Sequence, residues 1–208
     1  MRTPAVSGKF RPMVLPIVRY DSEVLHRKGA PVVAFDAALA GLARDMVDTM
    51  HEAAGIGLAA QQIGRAMQFF VMDLRGTQSE FSWELDGRRQ PLDLIMPMSV
   101  ANPKLTIVPA GMRVAEEGCL SFPGIHGDVE RAFAVRAEFD DVHGQRHSLL
   151  CDGLLARCVQ HETDHVNGIL FTERMTKAVL STIDAELKAL KRETRNARKR
   201  LADEPGLL

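Results

Sequence analysis

Gln160-His161-Glu162-Thr163-Asp164-His165 is the stretch on which the reading of this chain turns. It has the form H-E-x-x-H. On a helix, residues four apart lie on one face, one turn above each other. His161 and His165 can therefore close on a single metal ion. Glu162 is rotated by about 100° around the axis. That is too far round for a third ligand in the same plane, but it suits a carboxylate that takes a proton from a water at the metal and later returns it. The pattern is short, and a solvated helix with two exposed histidines would carry it equally well. The flanks decide. Leu154, Cys158, His161 and His165 fall on one face, and Leu155, Val159 and Val166 follow on the adjoining one. Apolar neighbours on both sides predict a buried helix. Buried histidines need partners, and a metal supplies them.

Working outward, Asp152 stands at the N-cap of this helix, and Asn167-Gly168 ends it with a left-handed stop. Before it, Val135, Ala137 and Phe139 alternate, His143-Gly144 turns the chain, and Arg146 to Cys151 returns, which predicts a β-hairpin. Cys119 lies 161 − 119 = 42 residues before His161, within Glu116-Glu117-Gly118-Cys119-Leu120-Ser121. A lone cysteine is commonly an inert core residue. Here Gly118 and polar residues flank it, which favours a backbone displayed at a site. Ser99 to Asn102 and Lys104 to Val108 read as strands broken by Pro103, and Phe69 to Asp73 as a buried strand. Between them Arg75 to Pro97 is long and irregular, a length that marks a functional or mobile loop.

Nearer the start, Asp36 caps an amphipathic helix running to about Ala53, with Leu39, Leu42, Ala43, Met46 and Met50 at helical spacing. Gly55-Ile56-Gly57-Leu58-Ala59-Ala60-Gln61-Gln62 follows. Its glycines allow another backbone to approach closely; alone it reads equally as a tight turn with small-residue packing. It is not a phosphate loop, because no Gly-Lys-Ser/Thr follows. At the other end Leu180, Ile183, Leu187, Leu190, Ala197 and Leu201 mark a last amphipathic helix. From Arg174 to Arg200 it carries nine Lys/Arg against three Asp/Glu. This is either a solvated basic helix end, favoured there by the macrodipole, or a docking surface for an anionic partner.

The whole chain has 208 residues, a formal net charge of −1 and 46% hydrophobic residues. That predicts one domain with a sizeable core. Balanced charge gives no reason to expect DNA or a membrane as partner, and no apolar run approaches the length of a span. Cys119, Cys151 and Cys158 are too few, and odd in number, for a disulfide framework. A reducing cytoplasm fits best. Residues 1–13 read as an N-terminal arm. Arg2, Lys9 and Arg11 come without an acid or an apolar h-region, so no secretory signal is read, while a fragment of an organelle transit peptide stays open.

Three stretches together carry a resemblance. Gly55 to Gln62 follows G-x-G-L-A-A-x-Q, Glu117 to Ser121 follows E-G-C-L-S, and Gln160 to His165 follows Q-H-E-x-D-H, in that order. The sequence resembles the peptide deformylases, metal hydrolases that remove the formyl group from the N-formylmethionine of newly made proteins. The resemblance spans about residues 14 to 200. It implies metal ligands Cys119, His161 and His165, with Glu162 as general base and acid. It implies an oxyanion hole from the Gln62 side chain and the Leu120 backbone N–H. Ile56, Gly57 and Gly118 would hold the peptide in strand-like fashion. Leu154 and Cys158 would wall the methionine pocket, and Arg131 would pair with Glu117. It implies Fe²⁺, replaceable by Zn²⁺ or Ni²⁺, and ribosome docking through the C-terminal helix. The implied fold is α+β: small mixed or antiparallel sheets around the central H-E-x-x-H helix, an N-terminal helix and an outer C-terminal one. The expected division is a catalytic unit over 14–175 and a basic helix and tail over 176–208. Two departures stand out. Arg75 to Pro97 is longer than the minimal family loop, and His126 stands where some members carry arginine. Rival readings are a metalloprotease built on the same helix, whose third ligand would usually be a downstream His or Glu, and a non-catalytic zinc-stapled module that docks on the ribosome.

Overall fold

The computed structural model describes residues 13–203. All but the last residue of the expected arm over 1–13 lies outside them, as does the end of the tail. The architecture is α+β, built on one six-stranded sheet in the order β1-β2-β4-β5-β6-β3. The strands are β1 (Gly57–Ala59), β2 (Phe69–Met72), β3 (Trp83–Leu85), β4 (Met98–Gly118), β5 (His126–Asp140) and β6 (Arg146–Asp152). Every pairing between neighbouring strands is antiparallel. The helices are α1 (Ala37–Glu52), α2 (Leu92–Ile95), α3 (Gly153–Val166), α4 (Lys177–Thr182) and α5 (Asp184–Asp203).

β2 explains how the layers stack. Successive residues of a strand face opposite sides. Phe69 and Val71 join Leu39, Leu42, Met46 and Met50 of α1 in one core. Phe70 and Met72 join Leu155, Ala156 and Val159 of α3 in another. With both faces covered, the strand is apolar throughout rather than alternating. α1 starts where expected, because the Asp36 carboxylate accepts from Ala38 N and Leu39 N, both at 3.0 Å. A third core of Leu25, Phe122, Ile125, Leu170, Phe171 and Leu190 lies beneath α4 and α5.

Several expectations are corrected. The sheet is single, not a set of small sheets, and of the two expected arrangements, mixed or antiparallel, it is antiparallel. Pro103 does not break β4. The chain absorbs it as an irregularity between Ala101 and Lys104, where Asn102 adopts φ 52°. Its side-chain amide accepts from Val32 N and donates to Val32 O at 2.8 and 2.9 Å, which ties the irregularity to the segment before α1. β4 then continues to Gly118 and β5 begins at His126, both well beyond the expected limits. The Arg75 to Pro97 segment is not wholly irregular. It contributes β3, which pairs with β6, and the short α2. Asp152 occupies the N-cap of α3, but its carboxylate accepts from Ser82 N at 2.5 Å instead of capping the helix. The C-terminal helix is interrupted at Ile183, giving α4 and α5.

Candidate metal centre

β4 ends at Gly118 and delivers Cys119 into the turn that follows it. α3 presents His161 and His165. The cysteine sulfur and one nitrogen of each imidazole all lie within 4.8 Å of one another. Cys119 Sγ is 3.2 Å from His165 Nε2. His161 Nδ1 donates to Glu117 Oε2 at 2.9 Å, so its Nε2 is the nitrogen left for the cluster. Glu117 is itself held by Arg131, through Nε to Oε1 at 2.8 Å and Nη2 to Oε2 at 2.9 Å. A soft thiolate and two imidazoles, one oriented by a carboxylate behind it, form a donor set that fits a borderline dication.

Glu162 lies beside this cluster on α3 and is buried. One of its oxygens, Oε2, has no hydrogen-bond partner among the described residues. Burial pushes its carboxyl up to about 7, against the opposing pull of His161. A group that changes protonation near neutrality suits proton transfer. The Glu117 carboxyl goes the other way. Burial alone would raise it, but the Arg131 fork and then His161 outweigh burial and hold it well below the usual carboxylate range. The α3 environment thus separates two carboxylates, one kept charged and one poised to titrate.

The cluster opens into a cleft of about 590 Å³, lined among others by Ile56, Gly57, Gln62, Gly118, Leu120, Leu154 and Cys158. Gln62 is oriented without ambiguity. Its Oε1 accepts from Ala59 N at 2.8 Å, which turns Nε2 toward Cys119 Sγ at 3.4 Å and the cleft. Gly57 must be glycine, since a Cβ there would run into the Glu162 carboxylate. Gly118 likewise leaves room for the ring of its cross-strand partner His126. Burial raises the Cys158 thiol well above its ordinary value, so this wall residue stays neutral. All eleven predicted site residues line the cleft or complete the cluster at its base.

Other residues at the site were not expected from sequence. Asp164, which had been given no role, accepts from Arg131 Nη1 at 2.5 Å and from Arg174 Nη2 at 2.6 Å. Arg157, one turn before His161, also reaches Glu117. The segment before the first helix straps the two site loops together: Val18 N donates to Gln62 O at 2.7 Å and Tyr20 N to Ser121 O at 2.9 Å. Tyr20 also stacks on Phe122, with ring centroids 4.7 Å apart. The acid at Asp164 and the cation at Arg157, on a helix whose neighbouring positions are buried, were the available signals.

A thiol, two helix imidazoles and a titrating carboxylate at the base of an open cleft are the equipment of a metal-dependent hydrolase. The sequence profile of the polypeptide deformylase family matches residues 14–180. Peptide deformylase from Opitutus terrae is 55% identical over 188 residues, covering 90% of this chain and 98% of the relative. That from Chromobacterium violaceum is 42% identical over 183 residues, 88% of this chain and 98% of its own. A plant peptide deformylase crystal structure superposes with a TM-score of 0.77 at 35% identity, covering 88% of this chain and 92% of that one. The Thermus thermophilus peptide deformylase structure gives 0.72 at 38% identity, covering 87% and 99%. The chain belongs to the polypeptide deformylase family.

Proposed function

We propose that this enzyme removes the N-terminal formyl group from formylmethionine of newly made proteins and releases formate, with Cys119, His161 and His165 holding the metal and Glu162 moving the protons. The observation that carries the assignment is the convergence of the three donors within 4.8 Å beside a buried carboxylate oxygen that lacks a partner. The donor set suits Fe²⁺, with Zn²⁺ or Ni²⁺ able to replace it. A bound dication supplies acidification of water and polarisation of the formyl oxygen.

The residues do the rest. Glu162 takes the proton of the attacking water on its carboxylate and delivers it to the leaving amine. Gln62 Nε2 and the Leu120 N–H donate to the oxygen that gains charge, each such donor contributing about 3–4 kcal/mol in comparable enzymes. Ile56, Gly57 and Gly118 hold the peptide backbone along the cleft-lining ends of β1 and β4. Leu154 and Cys158 receive the methionine side chain. Glu117 keeps His161 in one tautomer and one orientation.

In this reading the catalytic unit spans 14–175, and 176–208 forms the basic C-terminal unit. Docking on the ribosome through Arg195, Arg198, Lys199 and Arg200 must compete with Asp21, which Arg195 and Arg198 already contact. A chain ending at Leu190 is expected to co-sediment less with ribosomes at low salt. No helix among the described residues is long and apolar enough to cross a membrane; the cytoplasm is the proposed location. The deciding experiment is formate release from a formyl-Met peptide, with anaerobic metal analysis of the same sample. Cleavage of internal bonds in unformylated peptides, without formate, would favour a protease instead.

A further inference from the structure

The three proposed ligands come from two elements. Cys119 leaves the end of β4, whereas His161 and His165 ride on α3. The spacing between thiolate and imidazoles is therefore set by how α3 is fixed to the sheet. Helix and strand satisfy their backbone groups internally, so side chains must make that connection. Gln160 does it for β5, exchanging bonds of 3.2 and 2.9 Å with Ala132 N and O. Arg157 does it for both strands at once. Its Nη1 donates to Glu117 Oε1 at 2.7 Å and to Val129 O at 2.9 Å. Its Nη2 donates to Arg113 O at 2.8 Å. Arg113 and Glu117 belong to β4, Val129 to β5, and Glu117 stands two residues before Cys119.

The side chain is 12% exposed. It lies between Ala156 and Cys158, both buried. A cation in such surroundings is costly unless all its donors are used. Here one planar fork reaches three acceptors on two strands, a geometry that a lysine ammonium on a flexible stem does not reproduce. The carboxylate it grips is the one that orients His161.

We propose that Arg157 is a positioning residue of the metal centre: it clamps α3 to β4 and β5 beside Glu117 and so sets the thiolate–imidazole spacing that governs metal affinity. The proposal rests on the assignment of Cys119, His161 and His165 as ligands. Arg157 touches neither metal nor reacting atoms, so its effect passes through Glu117 and the placement of Cys119.

The test uses Arg157→Met, which keeps the stem that borders the cleft, and Arg157→Lys, which keeps the charge. Zn²⁺ affinity is measured by chelator competition, and the Co²⁺-substituted proteins are compared by their thiolate charge-transfer and d–d absorption. Deformylation is measured at saturating metal. Arg157→Met is expected to lose about 10- to 100-fold in metal affinity, the usual cost of removing a group that supports a ligand, with an altered Co²⁺ spectrum. Its kcat should fall while KM stays close to wild type, because the cleft walls remain. Arg157→Lys should recover little of the affinity. Wild-type affinity and spectrum in Arg157→Met would overturn the proposal, even if its melting temperature fell. Full recovery by Arg157→Lys would also overturn it, since charge alone would then suffice. Failure of the ligand assignment gives a different signature: Cys119→Ser would bind Zn²⁺ as tightly as wild type.

Discussion

Two carboxylates in this protein each gather three cationic or hydrogen-bonding nitrogen side chains, and they have opposite energetic meaning. Glu117 is met by Arg131, Arg157 and His161, with side-chain exposures of 5, 12 and 10%. Asp21 is met by Lys191, Arg195 and Arg198, with exposures of 42, 62 and 50%. Around Glu117 every member has left water, so removing one leaves a buried charge without compensation. Around Asp21 water and salt screen every pair. The Arg195 hydrogen bond lowers the Asp21 carboxyl against a smaller opposing push from burial. An inventory of contacts would rank the two clusters alike; solvent decides that one supports the site and the other trims a surface.

Removing the buried carboxylate is the strongest way to break this comparison. Glu117→Ala should cost about 3–5 kcal/mol of stability, read by urea denaturation, and should weaken metal binding in the same protein. A loss below about 1 kcal/mol would place Glu117 in the same class as Asp21.

Glu162 sharpens the contrast from another side, being buried with an oxygen that nothing satisfies. Glu162→Gln should lower kcat by about 10²- to 10⁴-fold while metal analysis still finds the ion. Loss of stoichiometric metal would make Glu162 a ligand and redraw its role.

The raised carboxyl of Glu162 also has a pH signature. Its pKa goes from the ordinary 4.5 to about 7, so in metal-stripped protein the protonated form favours the fold. That contribution is complete below 4.5 and is lost as pH rises through about 7. Wild type should therefore lose about 3 kcal/mol relative to Glu162→Gln across this window, measured by denaturation of the two stripped proteins side by side. Parallel curves would show that burial does not perturb the group.

The smallest effect belongs to the surface cluster. Asp21→Asn should cost less than about 1 kcal/mol, and the cost should shrink as salt is raised. Activity on a short formyl peptide should not change. A salt-independent loss of several kcal/mol would show that α5 is held as firmly as α3.

Much of this was legible before the structure. α1 and α3 followed from apolar spacing and from the stop at Gly168, where Gly168 N donates to His165 O at 2.9 Å. The motif residues Gln62, Cys119, His161, Glu162 and His165 do converge. The outer half of β4 was hidden for a physical reason. Residues 109–116 are exposed on every side chain, so no alternation marks them as strand. The single sheet was hidden because β3 pairs with β6 across more than 60 residues, and such a pairing leaves no trace in local pattern. Arg157 escaped because its acceptors, 28 to 44 residues away, include two backbone carbonyls, which have no identity in a sequence.

The strap formed by Val18 and Tyr20 bears on how the molecule comes into being. Gln62 and Cys119 are 57 residues apart and Cys119 and His165 are 46 apart, while Tyr20 closes on Ser121. Contacts of such sequence separation form slowly, because a long loop must be closed before any of them is rewarded. The reactive pocket thus exists only once distant parts of the chain have met, and it is sealed by a segment synthesised before the rest of the pocket. A chain still emerging, with α3 not yet made, has neither histidine in place and cannot act on other chains.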